Sequence, residues 1–95
     1  MDAELLLRER HVLDESAFAE LVVWRLPRVL PGSAHGFKYR LAYMEDGTCV
    51  LRFDNEAGKG DHQHVGDAEI PYAFVSPEYL ILDFWAEIDH WRSKP

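Results

Sequence analysis

Asp46-Gly47 lies between two runs in which apolar and polar residues alternate, residues 37–44 before it and 48–54 after it, and nothing else in the chain narrows the fold as much. Asp-Gly favours a two-residue hairpin turn, because both central positions need a positive φ. Side chains two apart share one face of a strand. The hairpin therefore gathers Tyr39, Leu41, Tyr43, Cys49, Leu51 and Phe53 on an apolar face and Lys38, Arg40, Arg52 and Asp54 on a polar one. Two similar segments precede it, residues 4–13 and 18–26, separated by Asp14-Glu15-Ser16 and closed by Pro27, which lacks the backbone donor a continuing strand needs.

The loop at 28–36, centred on Pro31-Gly32-Ser33, is long for a hairpin and is expected to be a crossover or functional. Residues 56–64 have neither helical nor clean strand periodicity, and Gly58 and Gly60 mark that stretch as a loop of unusual backbone. Tyr72, Phe74 and Val75 form a last short strand or an extended lead-in. Ser76-Pro77-Glu78 then starts a helix, with Ser as cap, Pro at the first helical position and a carboxylate in the first turn. Leu80, Ile81, Phe84, Trp85, Ile88 and Trp91 recur at helical spacing, and the helix is expected to end near Trp91. The fold expected is α+β: an antiparallel meander sheet of four or five strands with the C-terminal helix packed on one face, in one domain over residues 1–95.

A chain of 95 residues is too short to hold both a cofactor-binding and a substrate domain, and no cofactor is expected. With 47% hydrophobic residues and 13% aromatics it has globular composition. A single cysteine, Cys49, makes no intramolecular disulfide, and charges from Asp2 onward leave no signal-peptide core, so the expected compartment is the cytoplasm. The net charge of −7 speaks against nucleic acid, but its distribution does not. Residues 21–64 hold five acids and six bases, whereas the segments on either side hold six acids and two bases each.

That middle segment also holds Arg52, Asp54, Asn55, Lys59, Asp61, His62 and His64 within thirteen positions. If residues 61–64 are extended, His62 and His64 lie on one side, about 6.6 Å apart by strand rise, with Asp61 and Gln63 opposite. Two imidazoles so placed can act as general base and general acid near neutral pH, and Lys59, Arg52 and Arg40 can stabilise a developing phosphorane. That set fits metal-independent RNA cleavage by the substrate's own 2′-hydroxyl. Two plainer readings compete: Asp54-Asn55 and Gly58-Lys59-Gly60 simply build a structured turn, or His62 and His64 join Asp61 or Asp54 in holding zinc or manganese. His62-x-His64 followed by Glu69 resembles the first metal motif of cupin barrels, but Glu56 stands where that motif has glycine. Cys49 reads as a small buried hydrophobe, and His11 and His90 receive no role. His35, just before the hairpin, is expected to approach the basic face. The Phe84, Trp85 and Trp91 stripe reads as core, with enough aromatic surface to meet a partner chain.

Tyr39-Arg40-Leu41-Ala42-Tyr43, Gly47 to Glu56, and above all Asp54-Asn55 followed by Gly58-Lys59-Gly60-Asp61-His62-Gln63-His64 resemble the TumE family of toxins from prokaryotic toxin-antitoxin pairs. Val23 to Pro27 and Glu69 to Phe74 belong to the same likeness, which covers nearly the whole chain. The resemblance implies a small cytoplasmic toxin of a type II pair, neutralised by a cognate antitoxin that binds DNA. Combined with the residues, it leads to an endoribonuclease in which His62 and His64 are the acid-base pair, Asp61 orients an imidazole and Lys59 assists. Lys38, Arg40, Arg52, Asp54 and Asn55 then bind substrate, with RNA and a second copy of the chain as further expected partners. The alternatives are a protein-interaction module without catalysis and a small metal-binding domain built on His62 and His64.

Overall fold

The computed structural model describes residues 2–94. Six strands, β1 (Glu4–Asp14), β2 (Ala17–Arg25), β3 (Phe37–Glu45), β4 (Thr48–Glu56), β5 (Gly60–Val65) and β6 (Ala68–Pro71), precede one helix, α1 (Pro77–Arg92). The strands form an unclosed antiparallel sheet in sequence order, each paired with its chain neighbour. Asp46 and Gly47, with φ of 51° and 78°, make the turn that the β3–β4 sequence predicts.

Alternation decides what the sheet buries. Leu21 and Val23 of β2, Tyr39, Leu41 and Tyr43 of β3, and Leu51 and Phe53 of β4 all point to one side. Leu80, Phe84 and Ile88 of α1, spaced four apart, are buried against them. The Ser76 side chain caps the helix by accepting from the Tyr79 amide at 3.1 Å. At the other end Arg92 donates to Asp14 Oδ2 and the Tyr43 hydroxyl, both at 2.8 Å, and Trp91 donates to Glu45 at 3.1 Å. The helix is thus pinned to the β1–β2 and β3–β4 turns.

The sheet extends beyond the four or five strands expected. Residues 60–64, the second half of the expected 56–64 loop, form β5 together with Val65, and Ala68–Pro71 adds β6 after a turn at Gly66, where φ is 58°. The pattern of β5 is hidden because both of its faces carry polar side chains, so no apolar alternation marks it. Residues 72–75 are the extended lead-in: Tyr72 packs edge-on against Phe53, and Phe74 stacks near Tyr39.

Candidate functional site

The face of the sheet turned away from α1 collects the polar residues of four strands. Register places Arg40 opposite Asp54, Asp54 opposite His62, Arg52 opposite His64 and His64 opposite Glu69. Pairing therefore brings Arg40, Arg52, Asp54, His62 and His64 onto one surface, and adds Glu69, which the cupin comparison singled out only as a metal ligand. Lys59 joins from the β4–β5 turn, its Nζ 3.7 Å from Glu69 Oε1.

Glu69 lies between the histidines, with Oε1 3.7 Å from His62 Nε2 and Oε2 4.0 Å from His64 Nδ1. Arg52 Nη2 lies 3.1 Å from His64 Nε2. A guanidinium only donates, so Nε2 accepts and the His64 proton is assigned to Nδ1, toward Glu69. Asp54 sits beside the same contact, Oδ1 3.7 Å from His64 Nε2 and Oδ2 3.2 Å from Arg52 Nε. That Nε–H is not aimed at the carboxylate and is a buried donor without a hydrogen bond. The Arg52–Asp54 pair is therefore electrostatic and incompletely satisfied, as groups kept for function often are.

Asp61 is not brought to the histidine pair. It faces the α1 side, where its Oδ1 accepts from the Tyr39 hydroxyl at 2.6 Å and from His35 Nε2 at 2.8 Å. The imidazole it orients is that of His35, whose Nδ1 accepts from the Phe37 amide at 3.1 Å and whose ring stacks on Phe74 with centroids 3.8 Å apart. His35 therefore approaches the α1 side and not the basic face, a correction to the expectation from its place before the hairpin. Sequence gives the parity of Asp61 but not its partner, which arrives from a loop 26 positions away. Burial, and then the bond to Asp61, push the Tyr39 hydroxyl well above its ordinary pKa, so it remains a donor.

Asn55 is fully buried, and both ends of its amide are engaged: Oδ1 accepts from the Tyr39 amide at 3.0 Å and Nδ2 donates to the Phe37 carbonyl at 2.7 Å. It stitches β4 to β3 beyond the Arg40–Asp54 pair and is not exposed on the polar face. Lys38 Nζ caps the same junction by donating to the Asn55 carbonyl. The glycines of the β4–β5 turn serve packing: the Gly58 amide donates to the Pro31 carbonyl at 2.6 Å, and a Cβ on Gly32 would stand 3.1 Å from Gly58 Cα. With the Lys59 amide donating to Glu56 at 3.1 Å, two backbone donors of Gly58-Lys59-Gly60 are already used, so this turn is not an open phosphate cradle.

Among the described residues no group of three or more His, Cys, Asp or Glu is arranged to hold a metal ion. Of the two carboxylates that a site on His62 and His64 would recruit, Asp61 lies across the sheet and Asp54 lies against the Arg52 guanidinium. A cavity of about 340 Å3 opens on the polar face, lined by Trp24, Lys38, Arg40, Arg52, Asp54 and Glu56. The depression of about 460 Å3 at Asp14, Glu45, Trp91 and Arg92 lies elsewhere, and those side chains bond one another.

An open six-stranded meander with one helix behind it and an Arg-Asp-His-Glu cluster in front defines a small α+β domain. The toxin TumE family profile matches residues 2–92, and the chain belongs to that family. Neither curated proteins nor solved structures gave a match. No helix among the described residues is long and apolar enough to cross a membrane.

Proposed function

We propose that this TumE-family chain is a cytoplasmic toxin, one domain over residues 1–95, that cleaves RNA as a metal-independent endoribonuclease. The observation that carries the reading is the convergence of His62 and His64 with Arg40, Arg52 and Lys59 on the face that α1 leaves uncovered. His64 Nε2, a lone-pair acceptor held by Arg52, suits the base; His62, with Glu69 within ion-pair reach, suits the acid. An incoming phosphate competes for the Arg52 guanidinium and frees Nε2. Nε2 takes the proton of a 2′-hydroxyl, the freed oxygen bonds to the adjacent phosphorus, and the P–O5′ bond breaks. The 5′ oxygen leaves with that electron pair and takes a proton from the His62 imidazolium, giving a 2′,3′-cyclic phosphate and a 5′-hydroxyl.

Arg40, Arg52, Lys38 and Lys59 serve the phosphates. Asp54 tethers Arg52, Asn55 acts through the strand it holds, and Asp61 acts from behind β5 by fixing its far face. His64→Ala is expected to stay folded and to lower cleavage about 100- to 10,000-fold, relieving growth arrest. Growth arrest retained by that variant, or RNA products lacking cyclic phosphate ends, would sink the assignment.

TumE-type toxins generally pair with a cognate antitoxin, and one observation favours a surface for it. Exposed Val75 lines a groove of about 580 Å3 together with Leu6, Leu7, Phe37 and Ile81, and Tyr79 and Leu82 of α1 are exposed as well. Such an apolar patch suits a protein partner, whether a DNA-binding antitoxin or a second copy of the chain. If the toxin instead acts by binding alone, Leu82→Asp will abolish toxicity while His64→Ala leaves it intact.

A further inference from the structure

We propose that the cavity on the polar face is a nucleobase pocket, in which Trp24 stacks on a base of single-stranded RNA neighbouring the phosphate held at His62 and His64. The proposal rests on the RNA reading above and adds the residue that reads the base. Trp24 pairs with Lys38 across β2–β3, and Val22 pairs with Arg40, so the indole stands at the end of the cationic row with an apolar floor beside it. It lies on the sheet face that α1 does not cover, where its partly buried ring has no role in the core.

Among the described residues, most of the other large rings are engaged, the exposed Tyr79 of α1 excepted. Trp85 packs against His11 and Phe84, Phe74 against His35 and Tyr39, and Phe53 against Tyr72 and Phe84. No ring pair among the described residues includes Trp24. A flat apolar surface beside an exposed arginine is the combination that single strands require, since any base offers a π face and any linkage a phosphate. Arg40 is exposed and makes no ion pair among the described residues, while Arg52 is held by Asp54 and Lys38 by the Asn55 carbonyl. Arg40 is therefore the cation available to the phosphate next to the stacked base. The volume, about 340 Å3, falls within the range of about 300–1,000 Å3 found for small-molecule pockets.

Distance sets which nucleotide this is. Trp24 on β2 and His62 on β5 are three strand spacings apart, roughly 15 Å. The stacked base accordingly belongs to a neighbour of the cleaved linkage, and the pocket would govern affinity more than turnover.

The test uses a fluorescently labelled 2′-O-methyl hexanucleotide, which lacks the attacking hydroxyl, with anisotropy as the readout, so an absence of cleavage leaves the result intact. Trp24→Leu keeps bulk without a π system and is expected to weaken binding about tenfold, whereas Trp24→Phe retains most of it. Hexanucleotides carrying one abasic position are scanned in parallel. One abasic position should weaken binding to the original chain by a similar factor and have no effect on Trp24→Leu. Should Trp24→Leu fail to fold, the abasic scan and Trp24→Phe decide alone: an abasic effect that is absent, or a Trp24→Phe loss as large as that of an Arg40→Gln variant, overturns the pocket. Equal binding by Trp24→Leu also overturns it. Cleavage of unmodified RNA by Trp24→Leu at unchanged KM overturns the pocket and leaves the nuclease; tight binding with no cleavage by the original chain does the reverse.

Discussion

The two faces of the sheet are built from the same strands and obey opposite rules. On the α1 side, apolar side chains close around Phe84, and the polar groups Asn55 and Asp61 are held by direct hydrogen bonds, the Asn55 amide through both its oxygen and its nitrogen and the Asp61 carboxylate through Oδ1. On the other side, cations, carboxylates and imidazoles stand at 3 to 4 Å with looser geometry, down to the unmet Arg52 donor. The contrast separates what holds the protein from what it can do. Groups whose bonding is complete have nothing left to offer a ligand, and groups held mainly by charge do.

That contrast can be broken experimentally, and its largest expected effect is on the covered face. Phe84→Ala should destabilise by about 3–5 kcal/mol, read as a fall in urea midpoint at unchanged slope, because a buried ring is replaced by a cavity. Next comes Asn55→Ala, for which a loss of about 1–3 kcal/mol is expected, since the Tyr39 amide and Phe37 carbonyl lose their partner inside the protein. His64→Ala should then move the unfolding midpoint by no more than about 0.5 kcal/mol equivalent while abolishing toxicity, and a large stability change would mean that the open face also carries structure.

The smallest effect appears only in acid. The Asp14 carboxyl is held below its ordinary pKa of 3.8, first by the Ser16 amide and then by Arg92. Its folded-state value is depressed, so the stability it contributes is present above the ordinary value and is lost as pH falls through the lower one. Asp14→Asn should leave thermal stability less dependent on pH below about 4 than in the original chain; identical acid profiles for the two would show that this turn carries no linkage.

How much of this could be read from residues alone differs by element for physical reasons. The β3–β4 hairpin and α1 were legible because turn chemistry, alternation and capping agree there. Five of the cluster's members, Arg40, Arg52, Asp54 and the histidine pair, follow from parity once β5 is known to extend. β5 itself was not legible, because Asp61 and Gln63 occupy positions where a half-buried strand ordinarily shows apolar residues. Asp61 is tolerated there only because Tyr39 and His35 satisfy it, and that closure depends on the 28–36 loop folding back, which no local pattern encodes. Trp24 falls within the strand expected over residues 18–26, and only the β2–β3 register puts it beside Arg40 and Lys38.

Sequential pairing from β1 to β6 also has a consequence in time. Every strand meets the strand made just before it, an arrangement of short sequence separations that favours rapid folding. The apolar face, however, has no cover until Pro77–Arg92 has been synthesised and has left the ribosome. The earlier strands can thus pair while still lacking the helix that makes the sheet a stable unit, so completion of the fold waits on that helix. A neutralising partner that recognises the sheet would have that interval in which to arrive.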